Sequence, residues 1–199
     1  MRRAGQRGFS LIEVLIVVLV VMIAAAIAVP NIFLAVSNLR LRASAGDLSG
    51  LMQQARIQAA KDNTTYPILY ATRNGARIAY VDLNRNASFD ADEPMMEFSG
   101  TTVPASGTPS GSGQPTAYVL AGDTGSSSYD NTNTLGFTGR GLPCNYDTTT
   151  TPATCSTPVA RYFVYYLTDT RVGTAGWAAV VVTKGGRTKM VTWNGAAWN

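Results

Sequence analysis

The chain of 199 residues contains no histidine and only two cysteines. Without histidine, Ser-His-Asp catalysis, Cys-His catalysis and histidine-ligated metals are excluded. Two cysteines are also too few for a thiolate zinc site. Charged side chains are scarce as well, at 14% of residues against an ordinary share of about 25%. These absences argue against most classes of enzyme.

A long apolar run, FSLIEVLIVVLVVMIAAAIAV, occupies residues 9–29 and contains a single charge, on Glu13. As a helix it would extend about 30 Å, which is enough to cross a bilayer. Arginines at positions 2, 3 and 7 precede it, so the positive-inside rule predicts a single-pass protein whose C-terminal domain lies outside the cytoplasm. A cleaved secretory signal peptide is the alternative. Its apolar stretch is usually about 7–15 residues, however, and an acid inside a bilayer is costly unless it is paired.

Residues 7–15, RGFSLIEVL, resemble the processing site of type IV pilins and type II secretion pseudopilins. The resemblance implies that prepilin peptidase cleaves between Gly8 and Phe9 and N-methylates Phe9. It also implies that Glu13 pairs with the terminal amine of a neighbouring pilin or pseudopilin subunit, because opposite charges neutralise each other at low dielectric constant. The implied location is the bacterial inner membrane, with a periplasmic domain, and then a pilus or pseudopilus. Pro30 lies where pilins often bend or open the first helix.

An amphipathic helix is predicted beyond Pro30, ending near residues 62–63 where turn-favouring residues begin. Its apolar stripe, with steps of four and three residues, predicts packing against a sheet. The stripe consists of Leu41, Ala45, Leu48, Met52, Ala55 and Ala59. The chain is thus divided into a leader (1–8), a transmembrane or filament-core helix (9–30), an amphipathic helix (31–63) and a β-sheet domain (64–199).

Two further segments narrow the resemblance to the GspH/FimT branch of minor pilins and pseudopilins. Residues 51–63, LMQQARIQAAKDN, are similar to the end of the first helix in that branch, and residues 137–141, FTGRG, are similar to its Phe-x-x-x-Gly turn. The branch implies a long N-terminal helix followed by a sheet domain.

Strands rich in β-branched and aromatic residues are predicted after the helix, bounded by Gly, Pro or Asn clusters. One long helix followed by several strands predicts an α+β fold with an antiparallel sheet packed on the helix. Residues 99–116 and 122–134 are rich in Ser, Thr, Gly and Pro and are predicted to be exposed loops. The predicted strands are 68–71, 77–83, 117–121, 161–168, 177–183 and 189–193.

Cys144 and Cys155 enclose a threonine-rich segment, and on the oxidising side of the membrane a disulfide is the simplest interpretation of the pair. Their spacing is not that of a Cys-x-x-Cys redox motif.

Residues 82–93, DLNRNASFDADE, contain the one arrangement of oxygen-bearing side chains that suits a metal. Six oxygen-bearing residues of this segment fall at positions 1, 3, 5, 7, 9 and 12 of an EF-hand calcium loop. Ala87 departs from the motif, because the sharp turn of that loop requires glycine at this position. Two interpretations remain open: weak Ca²⁺ binding, and a polar turn whose side chains bond their own backbone. No cofactor is otherwise required. The six residues are Asp82, Asn84, Asn86, Ser88, Asp90 and Glu93.

A basic segment near the C-terminus, KGGRTK at 184–189, resembles the Gly-Arg-x-Arg element of FimT DNA-uptake pilins. Arg187 and Lys189 would share one face of a strand, and Lys184 lies close in sequence, so these cations could reach phosphates. A charged hairpin without a nucleic-acid partner is the alternative interpretation.

These patterns predict a structural minor pilin or pseudopilin that assembles with other subunits rather than an enzyme. The alternative is a DNA-binding minor pilin for DNA uptake in natural transformation, which would use the basic C-terminal residues.

Overall fold

The computed structural model describes residues 10–105, 108–109, 115, 125–126, 133–149, 153–156 and 162–199. The chain divides into two compact units, residues 1–36 and 37–199. Gly8 and Phe9, and the strand predicted at 117–121, lie outside the described residues.

The first element is one α-helix, α1 (Leu11–Asp62). Within the first unit it runs through Pro30 without interruption, so the opening of the helix that the resemblance implied is not seen. The Asn31 side-chain amide donates to the Ile27 carbonyl at 3.0 Å and satisfies one acceptor beside the proline. The described residues from position 10 to 36 are all exposed.

The end of α1 is fixed by a left-handed residue, as a Schellman motif requires. Asn63 has φ 48°, and the Thr64 N–H donates to the Ala59 carbonyl at 3.0 Å. The helix therefore ends at Asp62, which confirms the end predicted from the turn-favouring residues.

The strands form two sheets where the sequence predicted one. The six-stranded sheet comprises β1 (Tyr66–Arg73), β2 (Ala76–Val81), β3 (Met95–Glu97), β6 (Asn133–Phe137), β7 (Pro143–Asp147) and β8 (Thr154–Ser156). Its strand order is β3-β2-β1-β6-β7-β8, and neighbouring strands are all antiparallel.

The strands of the second sheet are β4 (Thr102–Ala105), β5 (Gly125–Ser126), β9 (Tyr162–Asp169), β10 (Trp177–Thr183) and β11 (Thr188–Thr192). Their order is β11-β10-β9-β4, and the short β5 pairs in parallel with β9. A 3₁₀ segment, Thr170–Ala175, links β9 to β10.

Five of the predicted strands are present, 177–183 with the predicted bounds and the others shifted by a few residues, but several short strands were missed. β4 lies in the predicted loop 99–116, and β5 and part of β6 lie in the predicted loop 122–134. These strands are short, and each contains Gly, Asn or Pro, which have little intrinsic β propensity, so their pairing depends on their neighbours.

The main core lies where both sheets meet the second half of α1. All six residues of the predicted apolar stripe are at most 2% exposed, which confirms the prediction that this face packs on a sheet. They join residues from both sheets, including Ile68, Phe137, Tyr165 and Val180. The α+β fold with a helix packed on antiparallel sheets is therefore present.

Candidate functional site

Glu13 lies in the first turn of α1, within an entirely exposed apolar surface. The Ser10 carbonyl accepts the N–H groups of Glu13 and Val14 at 3.0 and 3.2 Å and so begins the helix. α1 is long and apolar enough to cross a membrane, and none of its apolar window is buried in the protein. Unlike the core helix of a soluble protein, this segment needs an apolar environment from outside the chain.

Arg56 joins two turns to the second half of α1. Its Nε donates to the Gly141 carbonyl at 2.9 Å in the turn between β6 and β7. Its guanidinium also donates to the Gly186 carbonyl at 3.1 Å in the turn between β10 and β11. One side chain therefore binds a turn from each sheet, and we call this arrangement the Arg56 junction.

The glycines of the Arg56 junction are required by geometry. Gly141 and Gly186 have φ of 70° and 77°, a region in which a β-carbon is strained. Gly139 packs so closely on the helix end that a β-carbon would come within 2.7 Å of the backbone of Asn63. The segments that carried the GspH/FimT resemblance, 51–63 and 137–141, thus meet in space, together with the turn at 184–187.

Cys144 and Cys155 form a disulfide, with their Cα atoms 5.6 Å apart, as the simplest interpretation of the pair predicted. The bond ties β7 to β8, the edge strand of the six-stranded sheet.

The loop between β2 and β3 contains the six candidate calcium ligands, and its carboxylates are hydrogen-bonded to their own backbone. Asp82 is 1% exposed and accepts the N–H groups of Arg85, Asn86 and Ala87 at 2.6, 3.2 and 2.8 Å. Glu93 accepts the N–H groups of Leu83 and Asp90 at 2.8 and 3.0 Å.

The side chains in the middle of this loop also bond one another. Asn84 and Asn86 donate their amides to Asp90 at 2.7 and 2.8 Å, and these bonds lower the pKa of Asp90. The amide oxygens of Asn84 and Asn86 accept the N–H groups of Asn86 and Ser88. These are the contacts of a polar turn. Calcium binding stays a prediction, and within the described residues no group of three or more His, Cys, Asp or Glu is arranged to hold a metal.

The same loop covers the outer face of the six-stranded sheet. Phe89 packs edge-on against Tyr80, with ring centroids 5.4 Å apart, and the Arg73 guanidinium lies 5.4 Å from the Phe89 centroid. Burial raises the pKa of Tyr80, and the charges of Asp82 and Glu93 add to the effect. The loop therefore has a structural role in covering Tyr80.

The three basic residues of the DNA-binding prediction lie in and after the turn between β10 and β11. Lys184, Arg187 and Lys189 are all exposed. The hydroxyl of Thr188, between the last two, accepts hydrogen bonds from Ser49 and Gln53 of α1. Because successive side chains of a strand alternate, Lys189 lies on the face opposite to Thr188 and the helix. Arg187 precedes the first residue of β11, so the strand face that it was predicted to share with Lys189 does not extend to it.

Sequence reasoning missed two residues that the fold makes prominent, Arg56 and Arg140. Arg56 lies off the predicted apolar stripe, so the periodicity of apolar residues assigned it no role. A signal was available, since it directly follows Ala55 of the predicted stripe and belongs to the similar segment 51–63. Arg140 lies within FTGRG, a segment that was interpreted only as a turn.

Residues 3–29 match the family model described as the prokaryotic N-terminal methylation motif. The motif indicates a type IV pilin-like protein. Comparison with the curated proteins and with the solved structures finds no match.

For a pilin-like protein, the motif implies processing by prepilin peptidase and assembly with other pilin subunits. It indicates a structural subunit rather than an enzyme. The exposed apolar half of α1 fits membrane anchoring followed by entry into a pilus. The N-terminal segment is therefore the principal candidate functional site.

Proposed function

We propose that the chain is a structural minor pilin or pseudopilin of the GspH/FimT branch. It is made in the inner membrane with its sheet domain in the periplasm, and is cleaved between Gly8 and Phe9. The processed subunit then enters a pilus or a type II secretion pseudopilus through its apolar helix.

The observation that carries this proposal is the methylation motif at the head of a fully exposed apolar helix. Glu13 places a carboxylate in that apolar surface, where an unpaired charge is costly. Cleavage between Gly8 and Phe9 creates an amine near the same end of the helix. An amine from a neighbouring subunit would neutralise Glu13 and set the register between subunits.

The Arg56 junction supports assignment to the GspH/FimT branch. The helix end and the FTGRG turn were each weakly specific as sequence. In the structure the two segments are in contact, through the hydrogen bonds of Arg56 and the close packing of Gly139 on Asn63. Together they attach two turns to the end of α1.

Processing is tested by co-expressing the chain with a prepilin peptidase and determining the mass of its N-terminal peptide. We expect an N-methylated Phe9 terminus, and an unprocessed chain for a Gly8→Leu variant. Cleavage after Ala28, as for a secretory signal peptide, would contradict the proposal.

Assembly is tested with Glu13→Gln, which removes the charge and keeps the size of the side chain. We expect normal processing but loss of cross-linking to other pilin subunits. Asp47→Asn, in which an exposed acid on the same helix is changed, is the matched control and should assemble normally. Equal assembly of the two variants would refute the role of Glu13.

DNA binding is the second candidate function, favoured by the exposure of Lys184, Arg187 and Lys189 in one short basic segment. Cations that contact phosphates give affinity that falls steeply with salt. Titration of the full chain in non-ionic detergent with a labelled duplex, at several salt concentrations, tests it. The double variant Arg187→Ala, Lys189→Ala should lose the salt-sensitive binding. The control double variant, Arg42→Ala, Arg171→Ala, should keep it.

A further inference from the structure

A cavity of about 440 Å³ opens at the end of the sheet domain where α1 ends. It lies between the turn joining β6 to β7 and the turn joining β10 to β11, and we call it the turn cleft. The disulfide forms part of its wall. Its described lining includes Asn63, Thr138, Arg140, Cys144, Cys155 and Lys184.

The charges that line the turn cleft are all positive. Arg140 comes from one turn and Lys184 from the other, and both side chains are exposed. The described lining contains no carboxylate that could neutralise them. Asn63 adds a side-chain amide, which can donate a hydrogen bond. An anion in the cleft would therefore meet two cations that approach from different elements.

The walls of the turn cleft are held in place by contacts that do not use these two cations. Arg56 binds the carbonyls of Gly141 and Gly186, directly after Arg140 and close to Lys184. Thr138 closes its own turn, because its N–H donates to the Leu142 carbonyl at 2.9 Å. The disulfide fixes β8 beside β7. Because the frame is built before a ligand arrives, little ordering is needed on binding.

We propose that the turn cleft is a binding site for a phosphate-class oxyanion. The planar guanidinium of Arg140 can donate two parallel hydrogen bonds to one anion, and Lys184 supplies a compact charge from the other turn. The cleft shares Lys184 with the predicted DNA-binding residues, but its described lining includes neither Arg187 nor Lys189. Free inorganic phosphate and the phosphodiester of a nucleic acid share this chemistry.

The test uses the full chain in non-ionic detergent at low ionic strength, titrated with inorganic phosphate in a calorimeter. We expect saturable binding that is weakened about tenfold or more by Arg140→Ala, and likewise by Lys184→Ala, since each removes a charge-assisted hydrogen bond. Arg140→Lys should retain part of the affinity because it retains the charge.

Arg42→Ala and Arg171→Ala, made separately, are the matched control pair, since each removes one positive charge from an exposed position outside the cleft. A labelled DNA duplex then distinguishes the source of the anion. Competition between duplex and phosphate assigns the cleft to phosphodiesters, and phosphate binding without competition assigns it to free oxyanions. An absence of saturable phosphate binding would overturn the proposal, as would equal weakening by the control pair. Processing and assembly of Arg140→Ala are measured separately. If both are normal, a failure of the phosphate-binding proposal leaves the proposed filament function intact.

Discussion

At the scale of single residues, Arg56 links a turn of each sheet to α1. It is half-buried on α1 and makes hydrogen bonds to carbonyls in turns of two different sheets. Buried carbonyl oxygens need donors, and a guanidinium can serve two acceptors at once because its N–H groups point in fixed directions. A lysine at this position could not match both.

Replacement of Arg56 is expected to destabilise the sheet domain. Arg56→Ala leaves two carbonyls without their donor, so the free energy of unfolding should fall by about 2 kcal/mol. Arg56→Lys should recover only part of this loss. Denaturant unfolding of the detergent-solubilised chain measures both. Arg42→Ala, at an exposed position of the same helix, should change stability by less than about 0.5 kcal/mol, and a similar loss at both positions would disprove the role of the Arg56 junction.

Gly186 and its neighbour Gly185 form a second matched pair. A β-carbon on Gly186 would lie 2.8 Å from the Gly141 carbonyl oxygen, at a φ of 77°, whereas one on Gly185 would meet nothing within 4 Å. Gly186→Ala should therefore cost about 1–3 kcal/mol of stability, and Gly185→Ala should be close to neutral. Thermal unfolding of the two variants compares them directly. Equal melting temperatures would contradict the geometry.

At the scale of elements, the loop between β2 and β3 is held by side chains that bond its own backbone. Arg85 and Ala87 both have positive φ, at 61° and 60°. That conformation is strained for residues other than glycine, and the buried carboxylate of Asp82 stabilises it by accepting three N–H groups there. The turn can thus hold Ala87 at the position where an EF-hand loop has glycine.

Acidification should weaken this loop. The amides of Asn84 and Asn86 lower the pKa of Asp90, so the ionised form is favoured in the folded protein. The stabilisation is present above the ordinary aspartate pKa of about 3.9 and is lost as pH falls through the lower folded value. In the double variant Asn84→Ala, Asn86→Ala, carbon-detected NMR titration should show a higher pKa of Asp90 than in the unmodified chain. Asp147, whose pKa is lowered by hydrogen bonds from Thr149, is the internal control and should not change.

The carboxylate NMR resonances of this loop also distinguish weak calcium binding from a polar turn. Calcium binding predicts saturable changes at Asp82, Asp90 and Glu93 on addition of millimolar Ca²⁺, and their loss in Asp82→Ala. The polar-turn interpretation predicts no response.

At the scale of the whole molecule, the chain consists of two units with opposite solvent requirements. Residues 11–36 form a helix whose apolar side chains are all exposed, and the main core is formed only by residues from Leu41 onward. The first unit therefore needs a membrane or neighbouring helices, whereas the second contains its own core.

A chain that begins at Ser37 should consequently be soluble and unfold cooperatively. A chain that begins at Leu48 should be much less stable, because it lacks the buried Leu41 and Ala45 and also Ser44, whose hydroxyl accepts the Ser99 N–H at 3.0 Å. Circular dichroism during thermal unfolding tests both. Aggregation of the longer chain would show that the sheet domain depends on the apolar segment.

The amino-acid sequence by itself determined the apolar helix, the amphipathic stripe, the helix end and five of the strands. Each is a local pattern, because the periodicity of apolar residues and the turn preferences of Asn and Gly operate over a few neighbouring positions. The processing motif is also local, being contiguous around residues 7–15.

Only the tertiary structure decided what joins distant segments. The division into two sheets, the short polar strands, the Arg56 junction and the turn cleft all depend on residues separated by up to 130 positions, as in the bond from Arg56 to Gly186. Arg140 and Lys184 have no shared pattern in the sequence. They line one cleft because two turns are held at the same end of α1 by hydrogen bonds and close glycine packing, neither of which a local pattern records.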